Sequence, residues 1–215
     1  MLREGHVRVA GIDEVGRGAW AGPVVAAAVV LNLANPNPHA ALGAGGRSRV
    51  DNLRKVGVRD SKQLSPHQRE TLFPIIKESC LAWGVGLADA SEIDAMGIVP
   101  ATRLAMRRAV EALSPPPDAL IIDALRLPDI DLSQRAFPFA DSISLSVAAA
   151  SILAKVMRDR MMIELEAAFP GYGFDRHKGY GTRAHQEALK ASGACPAHRK
   201  TFRPVAIVRS LQEVI

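Results

Sequence analysis

A mixed β-sheet flanked by helices, with a helical C-terminal part, is the α/β fold this 215-residue sequence predicts. Two aliphatic runs separated by a glycine-bearing turn open the chain, strand and helix patterns alternate after them, and one long, largely apolar helical stretch follows. Strands joined by a turn and followed by strands alternating with helices argue against a purely parallel, doubly wound sheet.

Val7 to Asp13 and Pro23 to Leu31 are short and rich in Val, Ile and Ala, and Gly16-Arg17-Gly18 between them supplies the turn of a hairpin. From Asn32 to Gly57 the composition shifts to Asn, Pro, Gly and Arg. That stretch is too polar to pack a core and is expected to be a mobile surface insertion within one domain. Ser65-Pro66-His67-Gln68 combines an N-cap serine, a proline at the first helical position and Gln at the third. A helix is expected from there to about Cys80, with Leu72, Ile75 and Ile76 on its apolar face. Trp83 to Ala90 reads as a third strand, Pro100 to Leu113 as a helix, and Ala119 to Ile122 as a short buried strand ending at Asp123. A further strand is expected near Arg135 to Ala140. Ser144 to Phe169 forms the longest helix, closed by Pro170-Gly171, and its first half, Leu145 to Leu153, should be deeply buried. Gly171 to Arg183 is glycine-rich and basic, and a helix covers about Thr182 to Ser192.

Composition excludes several classes. With 48% hydrophobic and 23% charged residues the chain is neither disordered nor fibrous. Its two cysteines, Cys80 and Cys195, stand in no C-x-x-C spacing, which argues against a disulfide scaffold or a zinc knuckle and suits a reduced, cytoplasmic setting. Met1 to His6 has no apolar leader, and the longest apolar run, Val24 to Leu31, is far below the roughly 18 residues of a membrane span. The net charge of +5 suits a polyanionic partner, although an ordinary basic surface explains it as well.

Four acids then stand out by position. Asp13 and Glu14 end an aliphatic strand just before glycines, Asp123 lies where a buried strand emerges, and Asp141 precedes the long helix. Singly, each reads as an acid at a solvated turn or a helix N-terminus. Adjacent strand residues point to opposite faces, so Asp13 and Glu14 share a site only if the chain turns there. Brought together, four carboxylates repel unless divalent cations neutralise them, and hard oxygen ligands without Cys or His suit Mg²⁺ or Mn²⁺. An acidic metal site in a basic protein points to a phosphate-bearing substrate, and two such ions are a known arrangement for attack on a phosphodiester.

Gly11-Ile12-Asp13-Glu14-Val15-Gly16-Arg17-Gly18, followed by Ala21-Gly22-Pro23-Val24-Val25-Ala26-Ala27, resembles the opening signature of the ribonuclease HII family. The likeness continues in order through Asp60-Ser61-Lys62, Glu92-Ile93-Asp94, Asp141 with Ser146 to Val156, and His177-Lys178-Gly179-Tyr180-Gly181-Thr182. The resemblance implies a ribonuclease H-like fold with a mainly five-stranded mixed sheet. It implies a metal-dependent endoribonuclease that hydrolyses the RNA strand of RNA/DNA hybrids and cuts 5′ of ribonucleotides embedded in duplex DNA, leaving 3′-hydroxyl and 5′-phosphate ends. It places two Mg²⁺ or Mn²⁺ ions on Asp13, Glu14, Asp123 and Asp141, the ribose 2′-hydroxyl on Gly16, Arg17 and Gly18, and the junction sugar on Tyr180. Phosphate or hydroxyl contacts to the nucleic-acid backbone are expected from Ser61, Lys62, Arg176, Lys178 and Thr182, with Thr182 also placed to cap a helix and His185 near the site. A monomer with no membrane association is expected. Two positions depart from the family pattern: Ala124 stands where glycine commonly follows the acid, and Ile143 where a lysine or polar residue is common. Ribonuclease HIII, which has the same fold and acids, carries an extra N-terminal domain, and the shortness of the segment before the first strand favours ribonuclease HII. A non-catalytic nucleic-acid-binding module would share the charge and fold but has no use for four convergent acids.

Overall fold

The computed structural model describes residues 1–32 and 49–212. Five strands, β1 (Val9–Val15), β2 (Val24–Leu31), β3 (Cys80–Ala88), β4 (Ala119–Asp123) and β5 (Ser133–Phe137), form one sheet in the order β3-β2-β1-β4-β5. β1 and β3 run antiparallel to β2, whereas β4 is parallel to both β1 and β5, so the sheet is mixed as the sequence predicts.

Every residue of β2 is buried because both faces of the sheet are covered. Ala26, Ala28 and Val30 enter one core with Ala101, Ala105, Met106 and Ala109 of α4 (Ile98–Glu111). Ala27, Val29 and Leu31 enter the other, with Leu72, Phe73 and Ile76 of α2 (Pro66–Ser79) and Ile152 and Leu153 of α6 (Leu145–Ala168). The capping box expected at Ser65 and Gln68 is present at the start of α2. The long helix α6 crosses β1 at Gly11, where an added Cβ would lie 2.4 Å from the Val147 nitrogen. That close approach sets helix and strand in register immediately behind Asp13.

Several elements differ from expectation. β1 runs on through Glu14 and Val15, so the turn starts at Gly16, and β3 starts at Cys80 directly from α2. Within the expected insertion, residues 33–48 lie outside the described residues, but Arg49–Lys55 forms the helix α1 and Leu53 is fully buried against α2 and α6. Leu53, with Val58 just past the stretch, supplies apolar contacts that its polar average concealed. Three short helices were not foreseen: α3 (Ala90–Met96), α5 (Ala140–Ile143) and α7 (Phe174–His177). The C-terminal part contains α8 (Arg183–Ser192) and α9 (Arg203–Gln212).

Candidate active site

The parallel register pairs Ile12 of β1 with Ile122 of β4, so the next residues, Asp13 and Asp123, emerge side by side at the carboxyl ends of adjacent strands. This is where open α/β sheets place their functional groups. One Asp13 oxygen accepts the Glu14 N–H at 2.8 Å, and the Ser151 hydroxyl of α6 also bonds the Asp13 carboxylate. Ser61 in turn lies 2.8 Å from Ser151, so its hydroxyl reaches the acid through a second serine. Asp123 accepts the Ala140 N–H at 2.9 Å, which ties α5, and Asp141 on it, to the end of β4.

Burial first, then the nearby Glu14 charge, push the Asp13 carboxyl up to about 8. Burial also raises Glu14, against the pull of Arg17, whose guanidinium lies 3.2 Å from one Glu14 oxygen. The other, Oε2, is buried with no hydrogen-bond partner among the described residues. Asp141 is raised by burial and by the charges of Asp60 and Asp123, with Lys62 opposing. Asp123 thus acts electrostatically on the other three acids, across both faces of β1. Glu14 shares the site although no turn separates it from Asp13, because it lies at the end of the strand beside Asp123. Among the described residues, no three acid, histidine or cysteine side chains already form a metal-holding group, so the acids are grouped without being pre-set as a cage.

The donor set fits a hard divalent cation: oxygen ligands, a buried orphan carboxylate oxygen, and carboxyls held in the costly, hard-to-ionise state that a cation would relieve.

Gly16 needs to be glycine, since its φ is +96° and a Cβ would lie 2.2 Å from Arg158 Nε. Gly18 is exposed, and a Cβ there would meet nothing within 4 Å. Two fully buried arginines hold the turn. Arg199 donates to the carbonyls of Gly16 (2.7 Å), Arg17 (2.8 Å) and Gly22 (3.0 Å), and Arg158 to those of Ala21, Pro23 and Lys178. The Arg158 guanidinium also lies over the Tyr180 ring at 5.4 Å. Neither arginine was singled out from the sequence, because nothing local marks an arginine whose partners are backbone carbonyls, most of them 135 or more residues away.

The remaining expected residues are spread around this centre. Lys62 is exposed near Asp141, and Lys178 is half-buried with its ammonium donating to the Asp175 carbonyl. Arg176 is exposed, Thr182 caps α8 by accepting the His185 N–H, and His185 is fully buried behind Tyr180. Glu92 and Asp94 serve structure: Glu92 pairs with Arg108 at 2.8 Å, and Asp94 accepts the Lys200 and Thr201 N–H groups. Ala124 adopts φ +60°, the left-handed conformation that its glycine counterpart would take freely. Ala124→Gly is therefore expected to raise stability by about 1 kcal/mol, read as a higher midpoint in denaturant unfolding. Ile143 is 74% exposed beside Asp141.

The family model for ribonuclease HII matches residues 10–205. The chain belongs to the ribonuclease HII family. Ribonuclease HII of Chloroflexus aurantiacus is 52% identical over 205 residues, covering 95% of this chain and 91% of that protein. Among solved structures, ribonuclease H2 from Pyrococcus horikoshii OT3 superposes with a TM-score of 0.74 at 28% identity, over 96% of this chain and 99% of that one. Bst-RNase HIII in complex with Mn²⁺ gives a TM-score of 0.68 at 26% identity, over 97% of this chain and 71% of that one. The mixed five-stranded sheet with flanking helices is accordingly the ribonuclease H fold, and the protein is a ribonuclease H enzyme. Among the described residues no helix is long and apolar enough to cross a membrane.

Proposed function

We propose that this ribonuclease H cuts the RNA strand of RNA/DNA hybrids and nicks duplex DNA 5′ of an embedded ribonucleotide, leaving 3′-hydroxyl and 5′-phosphate ends. It acts as a monomeric, cytoplasmic, single-domain enzyme with two Mg²⁺ or Mn²⁺ ions. The observation that carries this reading is the electrostatic grouping of Asp13, Glu14, Asp123 and Asp141 at the carboxyl ends of β1 and β4, with a Glu14 oxygen buried and, among the described residues, unpartnered. These four acids would hold the ions, which when bound supply water activation and neutralise the leaving oxygen.

The chain's own groups do the positioning. Ser151 and the Glu14 N–H fix the Asp13 carboxylate, and the Ala140 N–H fixes that of Asp123. Gly16, Arg17 and Gly18 lie beside Glu14 on a turn clamped by Arg199. No packing within the protein requires Gly18 to lack a side chain, which suits a main-chain approach to a ribose 2′-hydroxyl. Tyr180 packs the neighbouring sugar, and Lys62, Lys178, Ser61 and Thr182 are the proposed contacts to the sugar–phosphate backbone.

Incubation with a DNA duplex carrying one ribonucleotide should give a single nick on its 5′ side that requires Mg²⁺ or Mn²⁺ and stops with chelator. Uniform cutting of an all-DNA duplex, or nicking that survives chelation, would remove this reading.

A further inference from the structure

Behind Tyr180 two fully buried imidazoles are hydrogen-bonded to each other, His185 Nε2 to His198 Nε2 at 3.1 Å. Their outer nitrogens are also engaged. The Cys195 N–H donates to His198 Nδ1 at 3.1 Å, where the Cys195 Sγ, whose thiol can donate to the same nitrogen, also lies 3.1 Å away, and His185 Nδ1 lies 3.0 Å from the Tyr180 carbonyl oxygen. A backbone N–H can only donate, so His198 Nδ1 accepts and its proton sits on Nε2. That proton points at His185 Nε2, which must then be the acceptor, leaving the His185 proton on Nδ1, aimed at Tyr180. With the Cys195 amide donating to His198 Nδ1, each ring is assigned one tautomer. The hydrogen bonds run in a single direction from the Cys195 amide through both rings to the Tyr180 carbonyl.

A third imidazole supports the same arrangement. His177 accepts the Gly179 N–H at Nδ1, donates from Nε2 to the Tyr172 carbonyl, and stacks on His185 with ring centres 4.4 Å apart. Trp20, at the other end of the Gly16 turn, touches the same His185 ring. Burial lowers His185, and lowers His198 to about 4, in keeping with rings that stay neutral.

We infer that the His185–His198 pair is a tautomer-locked positioning device, which fixes the main chain at Tyr180 and thereby the placement of the tyrosine ring against the substrate sugar. The inference rests on the proposed role of Tyr180. The Tyr180 carbonyl is held from two sides, by His185 and by the Thr182 N–H at 2.8 Å, while its own N–H donates to the His177 carbonyl at 3.0 Å. Losing the imidazole donor leaves the carbonyl one partner and frees the peptide plane to rotate.

Two measurements test this on the full chain. Nitrogen-15 NMR of the wild type at neutral pH should show His185 protonated at Nδ1 alone and His198 at Nε2 alone; the opposite tautomers, or a charged ring, overturn the inference without any activity assay. In kinetics, His185→Leu should lower kcat/KM on the single-ribonucleotide duplex about tenfold more than on a hybrid with continuous RNA, where many junction-free registers are available. His185→Asn, whose amide can donate from the Nδ1 position, should recover most of that difference. Equal losses on both substrates, no loss, or no recovery with Asn would assign the pair to stability alone and overturn the inference. A wild type that fails to nick the duplex refutes the proposed function instead, and leaves the tautomer result standing.

Discussion

Asp13→Asn is expected to abolish metal-dependent nicking, by about 10³-fold or more, while making the metal-free protein harder to unfold. The first effect follows because a cation's charge stabilisation is worth several kcal/mol in the transition state, and an amide supplies a neutral oxygen in place of an ionic ligand. The second follows from linkage. The Asp13 carboxyl titrates near 8 in the folded protein against an ordinary 3.8, so the folded state holds the proton more tightly than the unfolded chain. Stability from this group is complete below pH 4 and falls as pH rises toward 8, by up to about 1.4 kcal/mol per pH unit, after which it is level. In chelator at pH 8 the Asn variant should melt about 5 °C or more above the wild type, and the gap should close toward pH 5. Mg²⁺ should raise the wild-type midpoint more at pH 8 than at pH 6 and raise the variant little. A wild type whose chelated midpoint does not fall between pH 5 and pH 8 would contradict the placement of this carboxyl.

Arg199→Met carries the largest expected loss of stability. It removes every side-chain donor from the carbonyls of Gly16, Arg17 and Gly22, with Arg199 itself fully buried. Burial lowers its guanidinium to about 9, which is still cationic at neutral pH, so the turn is held by charge-assisted hydrogen bonds. The expected cost is about 3 kcal/mol or more, because three carbonyls lose their charge-assisted donor and each buried acceptor left unsatisfied costs about 1–3 kcal/mol. Arg199→Lys keeps the charge but not the planar fork. It should fold, melt between the two, and show a raised KM with kcat closer to normal, because one ammonium cannot hold carbonyls on both sides of the turn. Urea unfolding and steady-state kinetics of the two variants check both statements. A methionine variant as stable as the wild type would show that the turn holds itself.

Much of this architecture was legible because the elements that build it obey local rules. The aliphatic runs of β1 and β2, the serine and glutamine that cap α2, and the uncharged first half of α6 each follow from side-chain pattern alone. The four acids were legible for the same reason, since each ends or precedes such an element. Where averages replaced pattern, the reading failed. Leu53 sits in a stretch whose mean composition is polar, and Asp89, which caps α3 with Glu92, was absorbed into the strand before it. The parts that hold the site together were invisible for a different reason. Arg158, Arg199 and His198 look like ordinary surface side chains in sequence and become buried only because distant segments close over them, and His185, expected near the site, gave no sign of its partner His198.

The clamp on the Gly16 turn also ties its closure to a residue far along the chain. Arg199 bonds carbonyls 182 and 183 positions earlier in the chain, and the Lys200 and Thr201 amides dock on Asp94 across more than 100 residues. Such distant pairings form late, after local helices and hairpins. A chain that ended between Asp141 and Arg199 would carry all four acids yet leave the turn beside Glu14 without its anchor. The turn beside Glu14 is therefore expected to close only after the sheet that carries those acids has formed.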